Sequence, residues 1–296
     1  MQFIGNAKAV HVLERSLEKQ CVAQTYLFVG PDHVGKCTLA LAFARSLAGD
    51  APFNIAAEGE ISQGDFNIII LRPEREEQRG VVKEKAIAVE HIRNAQQQLA
   101  TFPSGGKKKV LIVDGADHVT VSAQNALLKT LEEPNSTTVA ILVASNRSKI
   151  LSTIQSRCQQ IHFSLVSDVE LGIWKDQQGR DASAEHVRGA QGRPGLLVAM
   201  LQDSVSLERW KDGSALLRSV VASGVNSRLD IAERLAQNIP ETVALLKEWV
   251  WLLREEKKNV SETYARIAIV VEGIQLLEET NTNSRLVLEN VLLAIT

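Results

Sequence analysis

Short apolar runs alternate with helical patterns along the first half of the chain. The runs TYLFVG, FNIIILRP, VLIVD and VAILVAS are continuously hydrophobic, which predicts four buried strands. Residues 7–17, CTLALAFARSLA, residues 88–100 and SAQNALLKTLEEP place apolar side chains at helical spacing. In the last of these helices, Ser122 is the expected cap and Pro134 the expected stop. This alternation predicts an α/β fold, a parallel sheet covered by helices on both faces.

After Phe163 the strand signals cease and only helical patterns continue. Short helices are expected around GAQGRPG, and longer ones from Leu207 to the end of the sequence. We therefore predict three domains, at residues 1–165, 166–205 and 206–296. In the last helix, NSRLVLENVLLAI, we expect one broad apolar face, formed by Leu286, Val287, Asn290, Val291 and Leu293.

Composition and charge narrow the functional classes. The 296 residues carry a formal net charge of −2, so a contact with nucleic acid would need a local basic patch or a partner subunit. The three cysteines are far apart, which argues against a disulfide framework. Neither a signal-peptide pattern nor an apolar run long enough for a membrane span is found, so we expect a cytoplasmic protein without a membrane partner.

The segment GPDHVGKCTLA contains most of the sequence pattern of a phosphate-binding loop. Gly30, Gly35 and Lys36 match the pattern G-x-x-x-x-G-K, and the strand before it and helix after it are the required context. Cys37 stands where a Ser or Thr hydroxyl normally binds Mg²⁺, and a thiol is a poor ligand for that hard ion. Thr38 follows one position late. We expect weak binding of ATP or ADP, with or without Mg²⁺.

The segment KKKVLIVDGADHV supplies the second half of such a site. Asp114 ends a hydrophobic strand, where nucleotide hydrolases hold Mg²⁺ through water. Gly115 occupies the next position, where a glutamate normally orients the attacking water, and we do not expect Asp117 to reach that place. Since loss of metal coordination and loss of a catalytic carboxylate both raise the same barrier, independent hydrolysis is not expected.

Three further segments carry a family resemblance. SAQNALLKTLEEP, SKILSTIQSRCQQIHF and GRPG resemble the delta-prime family of bacterial DNA polymerase III clamp-loader subunits, in the same order along the chain. The resemblance implies a RecA-like AAA+ module, a small helical lid and a helical collar. It also implies assembly with delta and gamma or tau subunits into a pentamer that opens the sliding clamp and places it on primed DNA.

The resemblance also implies roles for single residues. Arg157, in SRC, matches an arginine finger that acts on the nucleotide of a neighbouring subunit; an ion pair or cap at the sheet edge is its alternative role. Asn146 matches a polar sensor of the γ-phosphate, with strand-end capping as the alternative, and Arg193 in GRPG matches the lid arginine. Many family members carry a four-cysteine zinc module, but residues 51–64 contain no cysteine, so zinc is not expected.

Two other functions remain open. The first is an active gamma- or tau-type ATPase in which other groups compensate for Cys37 and Gly115. The second, more remote, is a P-loop kinase for small substrates, which would leave SRC and the carboxy-terminal helices unexplained. Cys37 and Gly115 are the residues that favour a clamp-loader subunit without its own motor activity.

Overall fold

The predicted parallel sheet is present in the amino-terminal part of the chain. The computed structural model describes residues 3–49, 52–53, 67–78, 81–101, 107–132, 137–177, 183–255, 260–279 and 282–295. Seven strands are found there, namely β1 (Thr25–Val29), β2 (Ile68–Leu71), β3 (Arg75–Gln78), β4 (Val81–Glu84), β5 (Lys109–Asp114), β6 (Thr138–Ala144) and β7 (Gln159–His162). Five of them form one parallel sheet in the order β2-β5-β6-β1-β7, and β3 and β4 form an antiparallel pair.

Helices precede, separate and follow these strands. They are α1 (Ala7–Glu18), α2 (Lys36–Ala48), α3 (Val89–Leu99), α4 (Val121–Glu132), α5 (Ser152–Gln155), α6 (Asp168–Gln177), α7 (Ala184–Ala190), α8 (Pro194–Gln202), α9 (Ser204–Ala222), α10 (Val225–Leu235), α11 (Ile239–Glu255), α12 (Val260–Glu279) and α13 (Ser284–Ala294). Among the described residues, none of them is both long and apolar enough to cross a membrane.

The apolar strands are buried because they face helices on both sides. In β5, Val110 and Ile112 belong to the hydrophobic cluster that includes α1 and α2. Leu111 and Val113 belong to the opposite cluster, which includes α3 and α4. Since successive side chains of a strand point to opposite faces, one continuous apolar run serves both clusters. The α/β class predicted from the apolar runs is therefore confirmed.

The structure contains strands that the sequence pattern did not predict, and one helix begins at a different residue from the one predicted. Strand β7 extends the sheet beyond the four predicted strands by pairing with β1. The segment EREEQRGVVKEK contains β3 and β4, and solvation of their side chains stays a prediction. Helix α4 begins before Ser122, and the hydroxyl of Thr120 accepts from the N–H of Ala123, so Thr120 rather than Ser122 has the capping role. Pro134 lies outside the described residues.

The chain divides into two compact units, Met1–Val198 and Ala199–Thr296. The second is helical and has its own core, in which the indole Nε1 of the buried Trp249 donates to the carbonyl oxygen of Gly213 at 2.9 Å. The further division at residue 165 stays a prediction. In α13 the buried side chains are Leu288, Val291, Leu292 and, just beyond it, Ile295. Leu286 and Leu293 of the expected apolar face are exposed, and a role of that face in assembly stays a prediction.

Candidate nucleotide site

A cavity of about 850 Å³ lies at the carboxyl edge of the sheet. Its walls come from the loop after β1, the residues that follow β2, β5 and β6, and helices α6 and α8. Five of the predicted site residues line it, namely Gly35, Lys36, Cys37, Thr38 and Asp114. Gly30, Asn146, Arg193 and Arg157 are not among its lining residues. Since the carboxyl edge of an open parallel sheet is where ligands bind, this cavity is the candidate site.

The backbone of residues 30–36, the 30–36 loop, requires its glycines. A β-carbon on Gly30 would lie 2.4 Å from the carbonyl oxygen of Phe163, which is closer than real side chains come to backbone. Gly35 has φ +91°, and His33 also adopts a left-handed conformation, with φ 61°. Left-handed turns of this kind point successive N–H groups to one side, which suits an anion. The loop therefore contains two left-handed residues of the kind that anion-binding turns use.

Lys36 begins helix α2 and is almost fully buried, with 6% of its surface exposed. Its ammonium group donates to the carbonyl oxygens of Gly30 and Pro31, both at 2.6 Å. It also lies 3.5 Å from the hydroxyl of Ser145 and 3.8 Å from the carboxylate of Asp32. Burial lowers the pKa of Lys36, and the negative charges of Asp32, Asp117 and Asp114 oppose that effect. The lysine therefore holds the loop together and is one of the residues that line the cavity.

The position that normally binds Mg²⁺ is chemically altered. Burial raises the pKa of the Cys37 thiol to about 11, and the nearby charge of Asp114 adds to the increase. The thiol is therefore protonated at neutral pH and a poor ligand for a hard cation. Thr38 is exposed and lines the cavity one position later. The donor set offered at Cys37 does not fit a magnesium ion.

Asp114 is already paired with a cation of the chain. The guanidinium Nε of Arg72 donates to Asp114 Oδ2 at 3.1 Å, and its Nη2 donates to the sulfur of Cys37 at 3.6 Å. Arg72 was not predicted as a site residue. The only signal in the sequence is an arginine directly after a buried strand, and its meaning depends on which strand pairs with β2. The carboxylate expected to hold Mg²⁺ through water is thus neutralised by Arg72.

Gly115 and Asp117 follow in the next turn. Gly115 has φ +87°, and a β-carbon there would lie 3.0 Å from Pro73. A glutamate at this position would be strained. Asp117 lines the cavity, and the expectation that it does not reach the place of the missing glutamate stays a prediction. Its Oδ2 accepts from the backbone N–H groups of Ser145, at 3.3 Å, and Asn146, at 3.0 Å. That oxygen therefore holds the end of β6 in place.

Two predicted nucleotide sensors have structural contacts. The side-chain oxygen of Asn146 accepts from the backbone N–H of Ser148 at 2.9 Å and from its hydroxyl at 2.7 Å, which is the capping role considered as the alternative. The backbone N–H of Arg193 donates to Ala190 at 2.8 Å. Two residues later, the N–H of Gly195 donates to the carbonyl oxygen of His33 at 2.8 Å, so helix α8 contacts the 30–36 loop directly.

Arg157 lies at the other edge of the sheet. It precedes β7, it is exposed, and its Nη1 donates to the carbonyl oxygen of Thr153 at 2.9 Å. Its own carbonyl oxygen accepts from the hydroxyl of Thr25, the first residue of β1. Because the five residues of β1 separate Thr25 from Gly30, Arg157 is about 16 Å from the loop. The arginine is therefore remote from the cavity of its own chain.

Comparison with known proteins identifies the family. The family model described as DNA polymerase III, delta subunit, matches residues 5–167, just over half of the chain. The chain belongs to this DNA polymerase III delta subunit family. The match covers the sheet, the 30–36 loop and Arg157, and it confirms the resemblance to delta-prime-type clamp-loader proteins.

Curated relatives of this DNA polymerase III family include both delta-prime and tau subunits. Subunit delta' of Pseudomonas aeruginosa is 34% identical over 145 residues, covering 47% of this chain and 42% of the relative. Subunit delta' of Bacillus subtilis is 30% identical over 158 residues, covering 53% and 46%. Subunit tau of Bacillus subtilis is 31% identical over 322 residues, covering 93% and 55%. The chain thus spans less than half the length of the two delta-prime relatives.

A solved structure supports the fold over nearly the whole chain. A DNA polymerase III gamma subunit-related protein of Thermotoga maritima superposes with a TM-score of 0.53 at 15% identity, covering 96% of this chain and 98% of that one. The predicted AAA+ clamp-loader fold, with a helical carboxy-terminal region, is therefore confirmed. The expectation of no zinc concerns residues 51–64, most of which lie outside the described residues, and it stays a prediction.

Proposed function

We propose that this chain is a delta-prime-type clamp-loader subunit that does not hydrolyse ATP itself. In this role it assembles in the cytoplasm with gamma or tau and delta subunits, and helps to open a sliding clamp and place it on primed DNA. The observation that carries the proposal is the altered metal position, where Arg72 pairs with Asp114 beside the protonated Cys37. The relatives named delta' support the same assignment.

Hydrolysis needs a metal and an oriented water. Mg²⁺ neutralises charge on the transferred phosphoryl group, and a carboxylate or amide positions the nucleophile. In this chain Cys37 is a poor ligand, Asp114 is paired with Arg72, and Gly115 has no side chain. The 30–36 loop and Lys36 still suit the phosphates of ATP or ADP. The residues therefore favour holding a nucleotide over cleaving it.

Arg157 would serve a neighbouring subunit. Arg157 is exposed, and its backbone lies about 16 Å from the loop of its own chain, so it suits a site in trans. A planar guanidinium can stabilise charge on the γ-phosphate through two parallel hydrogen bonds. Arginine fingers of this kind contribute on the order of 10³–10⁵ in rate to the site they serve.

A second candidate is an active gamma- or tau-type ATPase. It is favoured by the match to a tau subunit across 93% of this chain. The two candidates differ in what the isolated chain does with ATP. We expect no steady-state hydrolysis by the purified chain, whereas turnover that Lys36→Ala abolishes would establish the second candidate.

The proposed role is tested in a reconstituted complex with gamma or tau, delta, the clamp and primed DNA. We expect Arg157→Ala to leave assembly intact, to lower the total ATPase rate in part, and to reduce clamp loading more strongly. The partial effect follows because one of several sites receives this finger. Arg157→Lys should resemble Arg157→Ala, since lysine keeps the charge but loses the planar fork.

Two matched variants make the result decisive. Arg188→Ala removes an exposed arginine from helix α7 and should behave as wild type. Lys36→Ala should reduce loading less than Arg157→Ala does. If Lys36→Ala abolishes loading while Arg157→Ala has no effect, the chain acts as a motor and the proposal is wrong.

A further inference from the structure

Arg72 occupies a specific place at the carboxyl edge of the sheet. Strands β2 and β5 are parallel neighbours, and Leu71 is paired with Val113. Arg72, which follows Leu71, and Asp114, which follows Val113, therefore lie side by side. From there the guanidinium reaches Asp114 Oδ2 at 3.1 Å with Nε and the sulfur of Cys37 at 3.6 Å with Nη2.

Asp114 and Cys37 stand at the two positions whose side chains hold the metal in related nucleotide sites. In P-loop hydrolases the residue after the loop lysine and an acid that ends another strand of the sheet together hold Mg²⁺. In this chain they are Cys37 and Asp114, and a cationic side chain lies against both. A guanidinium and a magnesium ion in the same place would repel each other strongly in a partly buried cavity.

We propose that Arg72 replaces Mg²⁺, so that this site binds the phosphates of a nucleoside di- or triphosphate without a divalent metal. The inference rests on the proposed function only in requiring that the 30–36 loop binds a nucleotide. It adds the chemical form of the ligand, a metal-free nucleotide, and the residue that selects it.

The guanidinium has donors left for a phosphate. Arginine carries five N–H groups, of which two are used by Asp114 and Cys37. The Arg72 side chain is 59% exposed and lines the cavity together with Lys36. Charge-assisted hydrogen bonds from guanidinium to phosphate are among the strong ones, and they need no metal between donor and acceptor. Lys36 and Arg72 thus present two fixed cations to the cavity.

The test measures nucleotide binding by the isolated full-length chain, with a fluorescent ADP analogue as the probe. Titrations are made in buffer with excess MgCl₂ and in buffer with excess EDTA. We expect the wild type to bind at least as tightly in EDTA as in MgCl₂, because the guanidinium supplies the charge that the metal would supply and Mg²⁺ in solution competes for the free nucleotide. Conventional sites that hold the nucleotide through Mg²⁺ lose affinity when the metal is removed.

Variants identify the residue responsible. In EDTA we expect Arg72→Ala to weaken binding about tenfold or more, the change that loss of a charge-assisted contact produces. Arg72→Lys should weaken it less. Arg93→Ala, which removes an exposed arginine from α3 away from the cavity, should leave binding unchanged. Electron paramagnetic resonance with Mn²⁺ and ADP should show no protein-bound metal in the wild type.

Three results would overturn the inference. They are a wild-type affinity that falls about tenfold or more in EDTA, an Arg72→Ala variant that binds as wild type, and an absence of nucleotide binding in both buffers. The first comparison uses the wild type alone, so it does not depend on the folding of a variant. None of these results bears on assembly or on Arg157, so failure here is distinguishable from failure of the proposed function.

Discussion

Gly30 and Gly35 are required in the 30–36 loop for different physical reasons. Gly35 adopts a left-handed backbone conformation, with φ +91°, that other residues enter at a cost. Gly30 needs no unusual φ, but the backbone of Phe163 passes where its β-carbon would be. The first constraint is local, and the second arises only from the tertiary fold.

Gly30→Ala should therefore destabilise the protein. The clash is with backbone at 2.4 Å, which cannot rotate away, so we expect a loss of about 2 kcal/mol or more in the free energy of unfolding. Urea-induced unfolding followed by circular dichroism measures this change. Gly172→Ala is the matched control, because alanine is the better helix former and, among the described residues outside helix α6, no atom lies within 4 Å of a β-carbon placed there. Equal stability of the two variants would contradict the packing argument.

The three cysteines should differ in reactivity. Cys21 is exposed, whereas burial raises the pKa of Cys37 and of Cys158 to about 11. At pH 8 a thiol with that pKa is ionised in roughly one molecule in a thousand. We expect iodoacetamide to modify Cys21 of the native protein first, which mass spectrometry of peptides can show. Modification of Cys37 at the same rate would contradict its protonated state.

The same two pKa values predict a dependence of stability on pH. A thiol whose pKa rises from 9.0 in the unfolded chain to about 11 in the folded one stabilises the fold fully below pH 9. As the pH rises through 11, this contribution is lost, because the unfolded state releases its protons first. We expect the urea midpoint to fall between pH 9 and pH 11, and to fall less in Cys37→Ala.

At the scale of elements, the buried strands were predictable and the edge strand was not. The inner residues of strands β5 and β6 are all apolar because helices cover both of their faces. Strand β7, QQIH, has only Ile161 buried, so its sequence lacks both an apolar run and a clear alternation. Strands β3 and β4 are rich in charged residues. A hydrophobic pattern in the sequence is what identifies a buried strand, and the sequences of these three strands have no such pattern.

The candidate site was predicted where the signal was local. The 30–36 loop and Asp114 follow strands that are visible in the sequence, and both line the cavity. Arg72 could not be assigned, because its role depends on the pairing of β2 with β5, which are separated by the 37 residues 72–108. The periodicity of a sequence does not show which strands pair. The place of Asp117 likewise depends on the turn that follows Asp114.

Helix α13 offers a paired test of element packing. Leu288 is fully buried and Leu286 is 61% exposed on the same helix. We expect Leu288→Ala to lower the free energy of unfolding of the carboxy-terminal unit by about 2–5 kcal/mol, because the cavity left behind cannot be filled. Leu286→Ala should change it by less than about 0.5 kcal/mol. Urea titrations would show the contrast, and similar losses for both would place the wrong face of α13 in the core.

At the scale of the whole molecule, each compact unit has its own hydrophobic core. The two clusters around the sheet use residues up to 165, and the carboxy-terminal cluster uses residues from 216 onward. In the sequence, the residues between these clusters include Asp203, which caps α9 by accepting from the N–H of Val205. Separate cores indicate that each part can fold by itself.

A fragment of residues 1–202 should therefore fold without the carboxy-terminal helices. It keeps helix α8 whole and contains every residue that lines the cavity. We expect cooperative thermal unfolding and nucleotide binding like that of the full chain, but no assembly with gamma or tau and delta subunits. Size-exclusion chromatography measures the assembly. A fragment that assembles with unchanged affinity would show that the carboxy-terminal helices are not the collar.

The hydrogen bond from the Gly195 N–H to the carbonyl oxygen of His33 makes one amide a reporter of motion. That proton can exchange with water only when helix α8 separates from the 30–36 loop. Its exchange rate therefore reports how often helix α8 and the 30–36 loop separate in solution, without any label. A nucleotide, clamp or neighbouring subunit that holds helix α8 against the 30–36 loop would slow the exchange of this proton. A partner that separates the two would make the exchange faster.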